Sequence, residues 1–96
     1  MPTHEELRRF HGDYARLSPE EQLAFRRALG RFVDGLRRGR FAAGLRVKAM
    51  DGHAGVWEMT WAPNGRATFQ YGDPVVPGEQ HIVWRRIGTH TIFREP

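Results

Sequence analysis

The sequence predicts an α+β domain: two N-terminal helices packed on one face of a mostly antiparallel four-stranded sheet. Three observations predict it. Apolar residues recur at helical spacing as far as Leu36. From Leu45 onward they alternate with a period of two. No internal repeat, low-complexity segment or long linker divides the chain, and its 96 residues suit one domain, 1–96, with one modest core.

The elements follow in order. Thr3-His4-Glu5-Glu6 fits a capping box with Thr3 as N-cap, and Leu7, Phe10, Tyr14 and Leu17 then fall on one helical stripe. Ser18-Pro19-Glu20-Glu21 fits a second capping box, with proline at the favoured first position. Phe25, Ala28, Leu29, Phe32, Val33 and Leu36 form its inner stripe, Arg26, Arg27, Arg31, Arg37 and Arg38 lie largely off it, and Gly39 is a stop. "LRVKAM" sets Leu45, Val47 and Ala49 against Arg46, Lys48 and Met50, as a half-buried strand does. "DGHAG" is a loop, "GDPVVPGEQ" a Pro/Gly connection, and "HIVWRRIG" a last strand that "THTIF" continues or caps.

The hairpin "WEMTWAPNGRATFQYG" decides which side chains share a face. A two-residue Asn64-Gly65 loop would mix apolar and polar residues on each face. A three-residue loop, Pro63 to Gly65, with Gly65 left-handed in a bulge, shifts the pairing by one. Trp57, Met59, Trp61, Ala67, Phe69 and Tyr71 then face the helices, and Glu58, Thr60, Arg66, Thr68 and Gln70 face outward. Burial selects the second register, because a one-residue slip exchanges the faces. In an unbroken last strand Arg86 and His90 join Glu58, Arg66 and Lys48 on the open face. Arg85 then falls on the side of Val83 and Ile87 and must sit at an edge or snorkel.

Composition narrows the functions. The longest apolar runs are too short to span a bilayer, and "MPTHEELRRF" has no signal-peptide core, so a cytoplasmic location is the default. The chain has no cysteine, which excludes disulfides, thiolate metal sites and cysteine nucleophiles. His4, His11, His53, His81 and His90 show no metal-ligand spacing, and no cofactor is implied. The net charge is +4. Fourteen of the 15 basic residues are arginine, a side chain whose planar fork suits phosphate or carboxylate. A nucleic acid, an acidic protein or a plain codon bias all fit that excess.

A basic face with one carboxylate and one histidine fits phosphodiester cleavage by a 2′-hydroxyl. That reaction needs a base, cations around the charged phosphorane and an acid for the leaving oxygen. Glu58 is the candidate base, Arg66, Arg86 and Lys48 the phosphate clamps, and His90 the acid, since imidazole titrates near neutrality. An ordinary surface ion pair fits Glu58 and Arg66 as well.

"LRVKAMDGHAGVWEMTWAPNGRATFQYG" followed by "HIVWRRIGTHTIF" resembles the RelE/ParE superfamily of toxins from type II toxin–antitoxin systems. The shared pattern is two N-terminal helices, a strand ending near a lysine, a strand opening with arginine and a final "IG-x-H/R" strand. The resemblance implies a RelE-like fold and a ribosome-dependent mRNA endonuclease held in check by a cognate antitoxin. It implies Glu58, Arg66 and His90 as catalytic residues and Lys48 and Arg86 as RNA contacts; Arg46 beside Lys48 is a further candidate RNA contact. Phe93 stands near the place of the family's C-terminal tyrosine. A ParE-like gyrase inhibitor without nuclease activity, or an inactive relative that binds RNA or antitoxin, are the alternatives.

Overall fold

A computed structural model describes residues 2–96. Strand β1 (Thr3–Glu6) leads into helices α1 (Arg8–Ala15) and α2 (Pro19–Arg38). Strands β2 (Lys48–Ala49), β3 (Trp57–Ala62), β4 (Gly65–Gly72) and β5 (His81–Gly88) follow. Single 3₁₀ turns occupy Ala43–Leu45 and His90–Arg94. The strands form one mixed sheet of order β1-β5-β4-β3-β2, in which β1 runs parallel to β5 and the other pairs are antiparallel.

The sheet therefore has five strands, not four, and Thr3 does not cap a helix. The segment read as a capping box is instead an edge strand. Thr3 N–H donates to Gln80 O and Leu7 N–H to Trp84 O, each at 2.9 Å. Alternation explains the preference: Thr3 and Glu5 point the same way and hold the two ring nitrogens of His81, at 2.8 Å and 3.0 Å. A capping box would forgo both contacts. α1 starts after Leu7 without a side-chain cap.

α2 forms as its sequence dictates. Ser18 Oγ accepts from Glu21 N–H, Glu21 Oε1 accepts from Ser18 N–H, and Gly39 ends the helix with φ 77°. Phe25, Ala28, Phe32 and Leu36 are buried against the sheet, and Leu29 and Val33 only partly. Phe10 from α1, Phe25 and Phe32 from α2, and Trp84 and Phe69 from the sheet form a chain of ring contacts 5.0–5.9 Å apart. "LRVKAM" gives much less strand than its alternation predicts. Leu45 is pulled into the core by a 3₁₀ turn, and pairing is confined to Lys48↔Glu58 and Ala49↔Trp57.

The β3–β4 hairpin sorts its side chains as burial demands. Trp57 lies opposite Phe69, Met59 opposite Ala67, Glu58 opposite Thr68 and Thr60 opposite Arg66. The turn is built differently from the expectation. Ala62 pairs with Gly65, so the loop is Pro63-Asn64, and the extra residue is Trp61 within β3. Gly65 is not left-handed. It is needed because a Cβ there would stand 2.5 Å from the Trp61 ring.

β5 carries a second bulge. Ala67 pairs with Ile87 and Thr68 with Arg86, but Phe69 pairs with Trp84, leaving Arg85 as the additional residue. Trp84 and Ile87 both face the helices, and Arg85 and Arg86 both point to the outer face. Arg85 therefore need not snorkel on the apolar side: it donates to Gln70 Oε1 and to Pro96 O.

Candidate functional site

Elements from both ends of the sheet set the outer face. Glu58 and Arg66 are on it together, on neighbouring strands. Arg66 is two residues before Thr68, the direct partner of Glu58. That diagonal spacing is about 7–8 Å between backbones, within reach of long side chains. Lys48 is exposed and directly opposite Glu58 on the other side. Among the described residues Glu58 has no hydrogen bond or ion pair within the chain. Glu58 is half-buried, with Lys48 as its direct cross-strand neighbour and Arg66 as its diagonal one.

Arg66 is held in a defined pose. Its Nη1 donates to Ala62 O at 3.2 Å, Pro63 O at 3.1 Å and Gly65 O at 2.9 Å. One guanidinium nitrogen thus caps the carbonyls of the turn, leaving the rest of the fork for an anion. A guanidinium fixed before a ligand arrives loses little conformational freedom on binding.

Arg86 and His90 are not placed as expected. The fork of Arg86 is occupied: Nε donates to Asp13 Oδ2 at 2.6 Å, Nη2 to Asp13 Oδ1 at 3.1 Å and Nη1 to Glu95 O at 2.9 Å. The hydrogen bond that Arg86 donates to Asp13 raises its pKa, burial opposes that shift, and the charges of Asp13 and Glu95 add to it. The Arg86 fork is thus engaged within the chain, not free as the expectation of a phosphate clamp requires. His90 does not share a strand with Arg86, because β5 ends at Gly88 and Thr89 caps the next turn, its Oγ1 accepting from Thr91 N–H. His90 is exposed on that turn. It follows Gly88, which pairs with Arg66, so it lies at the Arg66 end of the face and not on its floor.

The outer face is also less open than its polarity predicts. Residues 90–96 fold back over β4 and β5. Ile92 is buried there, and a Cβ at Gly88 would stand 3.0 Å from its side chain, a tight fit. Thr68, in the middle of the face, is fully buried, and its hydroxyl has no partner among the described residues. The accessible part is the half formed by Lys48, Glu58, Thr60 and Arg66, with Arg46 exposed beyond it.

Asp13 is the residue that sequence reasoning missed. It is 7% exposed, binds Arg86 twice and accepts from Ile87 N–H at 3.2 Å, where β1 no longer covers β5. A signal was present: Asp13 is three residues after Phe10, on the stripe that faces inward. His81, joined to Thr3 and Glu5, was passed over too. Among the described residues no helix is long and apolar enough to cross a membrane, and no three His, Asp or Glu side chains cluster as metal ligands.

No protein-family model and no curated protein matches the sequence. Solved structures match the fold. The chain aligns over 95% of its length with 97% of a copper-bound mutant toxin from Helicobacter pylori, at a TM-score of 0.66 and 15% identity. It aligns over 92% of its length with 98% of a YoeB/ParE toxin from Agrobacterium tumefaciens, at a TM-score of 0.66 and 13% identity. A chain of the RelB–RelE antitoxin–toxin complex from Methanococcus jannaschii matches over 94% of both chains, at a TM-score of 0.59 and 13% identity. Two helices against a five-stranded mixed sheet are thus the fold that this chain shares with the RelE, YoeB and ParE toxins.

Proposed function

We propose that this protein is the toxin of a toxin–antitoxin pair and cuts mRNA on the ribosome without a metal ion. The observation that carries the reading is the unpaired Glu58 carboxylate on the accessible half of the sheet, with Lys48 opposite and Arg66 on the diagonal. Glu58 takes the proton of the 2′-hydroxyl, whose oxygen attacks the adjacent phosphorus. Arg66, with Lys48 and Arg46 beside it, stabilises the charged phosphorane. The bond to the 5′-oxygen breaks, His90 supplies the proton to that oxygen, and a 2′,3′-cyclic phosphate remains. Arg86 positions β5 through Asp13 and does not touch RNA.

The antitoxin reading draws on the fold likeness to a toxin that was solved with its antitoxin. It also draws on an apolar groove of about 320 Å³ lined by Phe10, Leu29, Val33 and Leu36 beside β1. That groove suits apolar anchors of an amphipathic segment. Such a toxin acts in the cytoplasm, where its ribosomes are.

The test is cleavage of ribosome-bound mRNA by purified protein. Glu58→Gln and Arg66→Ala should each slow cutting by about 10²–10⁴-fold. A 2′-O-methyl group at the scissile nucleotide should abolish it. Full activity of Glu58→Gln would refute the assignment of the base. Intact mRNA together with inhibited DNA gyrase would replace the reading with the gyrase alternative.

A further inference from the structure

Beside the proposed cleavage site a second cationic hollow opens at the edge of β3. It has a volume of about 400 Å³ and is lined by Arg31, Arg46, Thr60, Trp61 and Arg66, with Gly44, Ala62 and Pro63 completing its wall. The three arginines come from α2, from the end of the 3₁₀ turn and from β4. Among the described residues no carboxylate lines it. The neighbouring hollow that shares Arg31 is different, because Asp34 lines it and pairs with Arg38 at 3.2 Å.

Two further features mark the hollow. Arg46 is the one non-glycine residue among those described with a positive φ, at 47°. A long side chain rarely adopts that backbone, and such outliers gather where a side chain has to be aimed. Trp61, 6% exposed, has an indole N–H without a partner among the described residues. Three guanidinium forks around a polar hollow suit a tetrahedral anion with several charged oxygens better than a planar carboxylate.

We propose that Arg31, Arg46 and Arg66 together seat a backbone phosphate of the RNA, so that the strand leaves the sheet around the β3 edge and crosses onto α2. The inference rests on the RNA-cutting reading for the source of the phosphate. Arg46 and Arg66 belong to both sites, and Arg31 extends the contact to a helix to which the cleavage chemistry gives no role.

The test uses binding alone. The whole protein is titrated with inorganic phosphate, and separately with a short single-stranded 2′-O-methyl RNA that it cannot cut. The guanidinium N–H signals of the arginines are followed by NMR. Both probes should move the signals of Arg31, Arg46 and Arg66 together. Arg31→Ala and Arg46→Asn, the latter tolerant of a left-handed backbone, should weaken the oligonucleotide several-fold. Each should flatten the slope of log affinity against log salt by a part of about 0.7, the share of one phosphate on a single strand. Arg27→Ala, which removes the same charge outside the hollow, should change the slope less. Signals of Arg31 that stay still in both titrations would overturn the proposal. So would phosphate binding with an oligonucleotide affinity indifferent to Arg31→Ala. If the oligonucleotide binds through Arg31 yet bound mRNA is never cut, the seat stands and the cleavage reading falls.

Discussion

Replacing Asp13 by alanine should cost more than any exposed charge in the molecule. The carboxylate is 7% exposed and its partner Arg86 15% exposed, so both are largely shielded from water. Removal leaves the Arg86 guanidinium with only the Glu95 carbonyl and Ile87 N–H without an acceptor. Breaking one side of a buried ion pair costs about 3–5 kcal/mol, since the remaining charge stays desolvated. The Arg16 contact adds little, because that side chain is 78% exposed. A chain of 96 residues has about 5–14 kcal/mol of stability in all. The variant should therefore unfold at least 12 °C lower, at about 4–8 °C per kcal/mol for a domain of this size. Urea titration followed by circular dichroism measures the loss directly. The Arg86 pKa is raised, so its share of the stability is present below the free guanidinium value and is lost only as pH rises through the higher folded value. The deficit should thus stay flat across neutral pH. A loss under about 0.5 kcal/mol, within the range of an ordinary surface substitution, would refute the view that Asp13 organises this edge of β5.

Three other outcomes follow from particular contacts. Gly65→Ala should destabilise by about 1–3 kcal/mol, because the new methyl meets the Trp61 ring and not because of φ; pairing it with Trp61→Leu in urea titrations should recover part of the loss. His81→Phe removes the bonds to Thr3 and Glu5, should cost about 1 kcal/mol given how exposed Glu5 is, and should speed hydrogen exchange at Thr3 and Leu7 N–H before it affects β4. Burial raises the Tyr71 pKa, so spectroscopic titration should find its phenolate forming above the free tyrosine value; its share of stability, present below that value, is lost as pH rises through the folded one.

Much of this was legible in the chain, for local reasons. The α2 caps depend on four adjacent residues and formed as read. The faces of the hairpin follow from burial parity, which a bulge elsewhere in the turn leaves intact. Thr3 to Glu6 is ambiguous in the chain because the same letters serve a capping box or an edge strand, and the choice depends on His81, far along the chain. That the Arg86 fork is occupied is not legible in the chain, because its partner, Asp13, is 73 residues away. The cover over the outer face is not legible in the chain for a related reason. Polar alternation says which residues point outward, whereas only tertiary structure shows that residues 90–96 return to lie on them.

The bulge at Arg85 supplies the sharpest test of how sequence sets this face. Strict alternation cannot bury both Trp84 and Ile87, which are three residues apart, yet both are at least 97% buried. One additional residue solves the conflict and sends Arg85 and Arg86 outward together. Deleting Arg85 should therefore be survivable. The shortened strand would alternate regularly, with Trp84 inward, Arg86 outward and Ile87 inward, losing only the contacts of Arg85 with Gln70 and Pro96. Deleting Val83 should not be survivable to the same degree. It makes Ile82 and Trp84 adjacent, so one must turn outward or the pairing with β1 must slip. Expelling Trp84 alone costs about 3–5 kcal/mol, since it touches Phe10, Phe25, Phe32 and Phe69. Cooperative unfolding for the Arg85 deletion, and a broad, weakened transition for the Val83 deletion, are the expected pair of results. Equal damage from both would mean that the bulge is not what reconciles the core with the outer face.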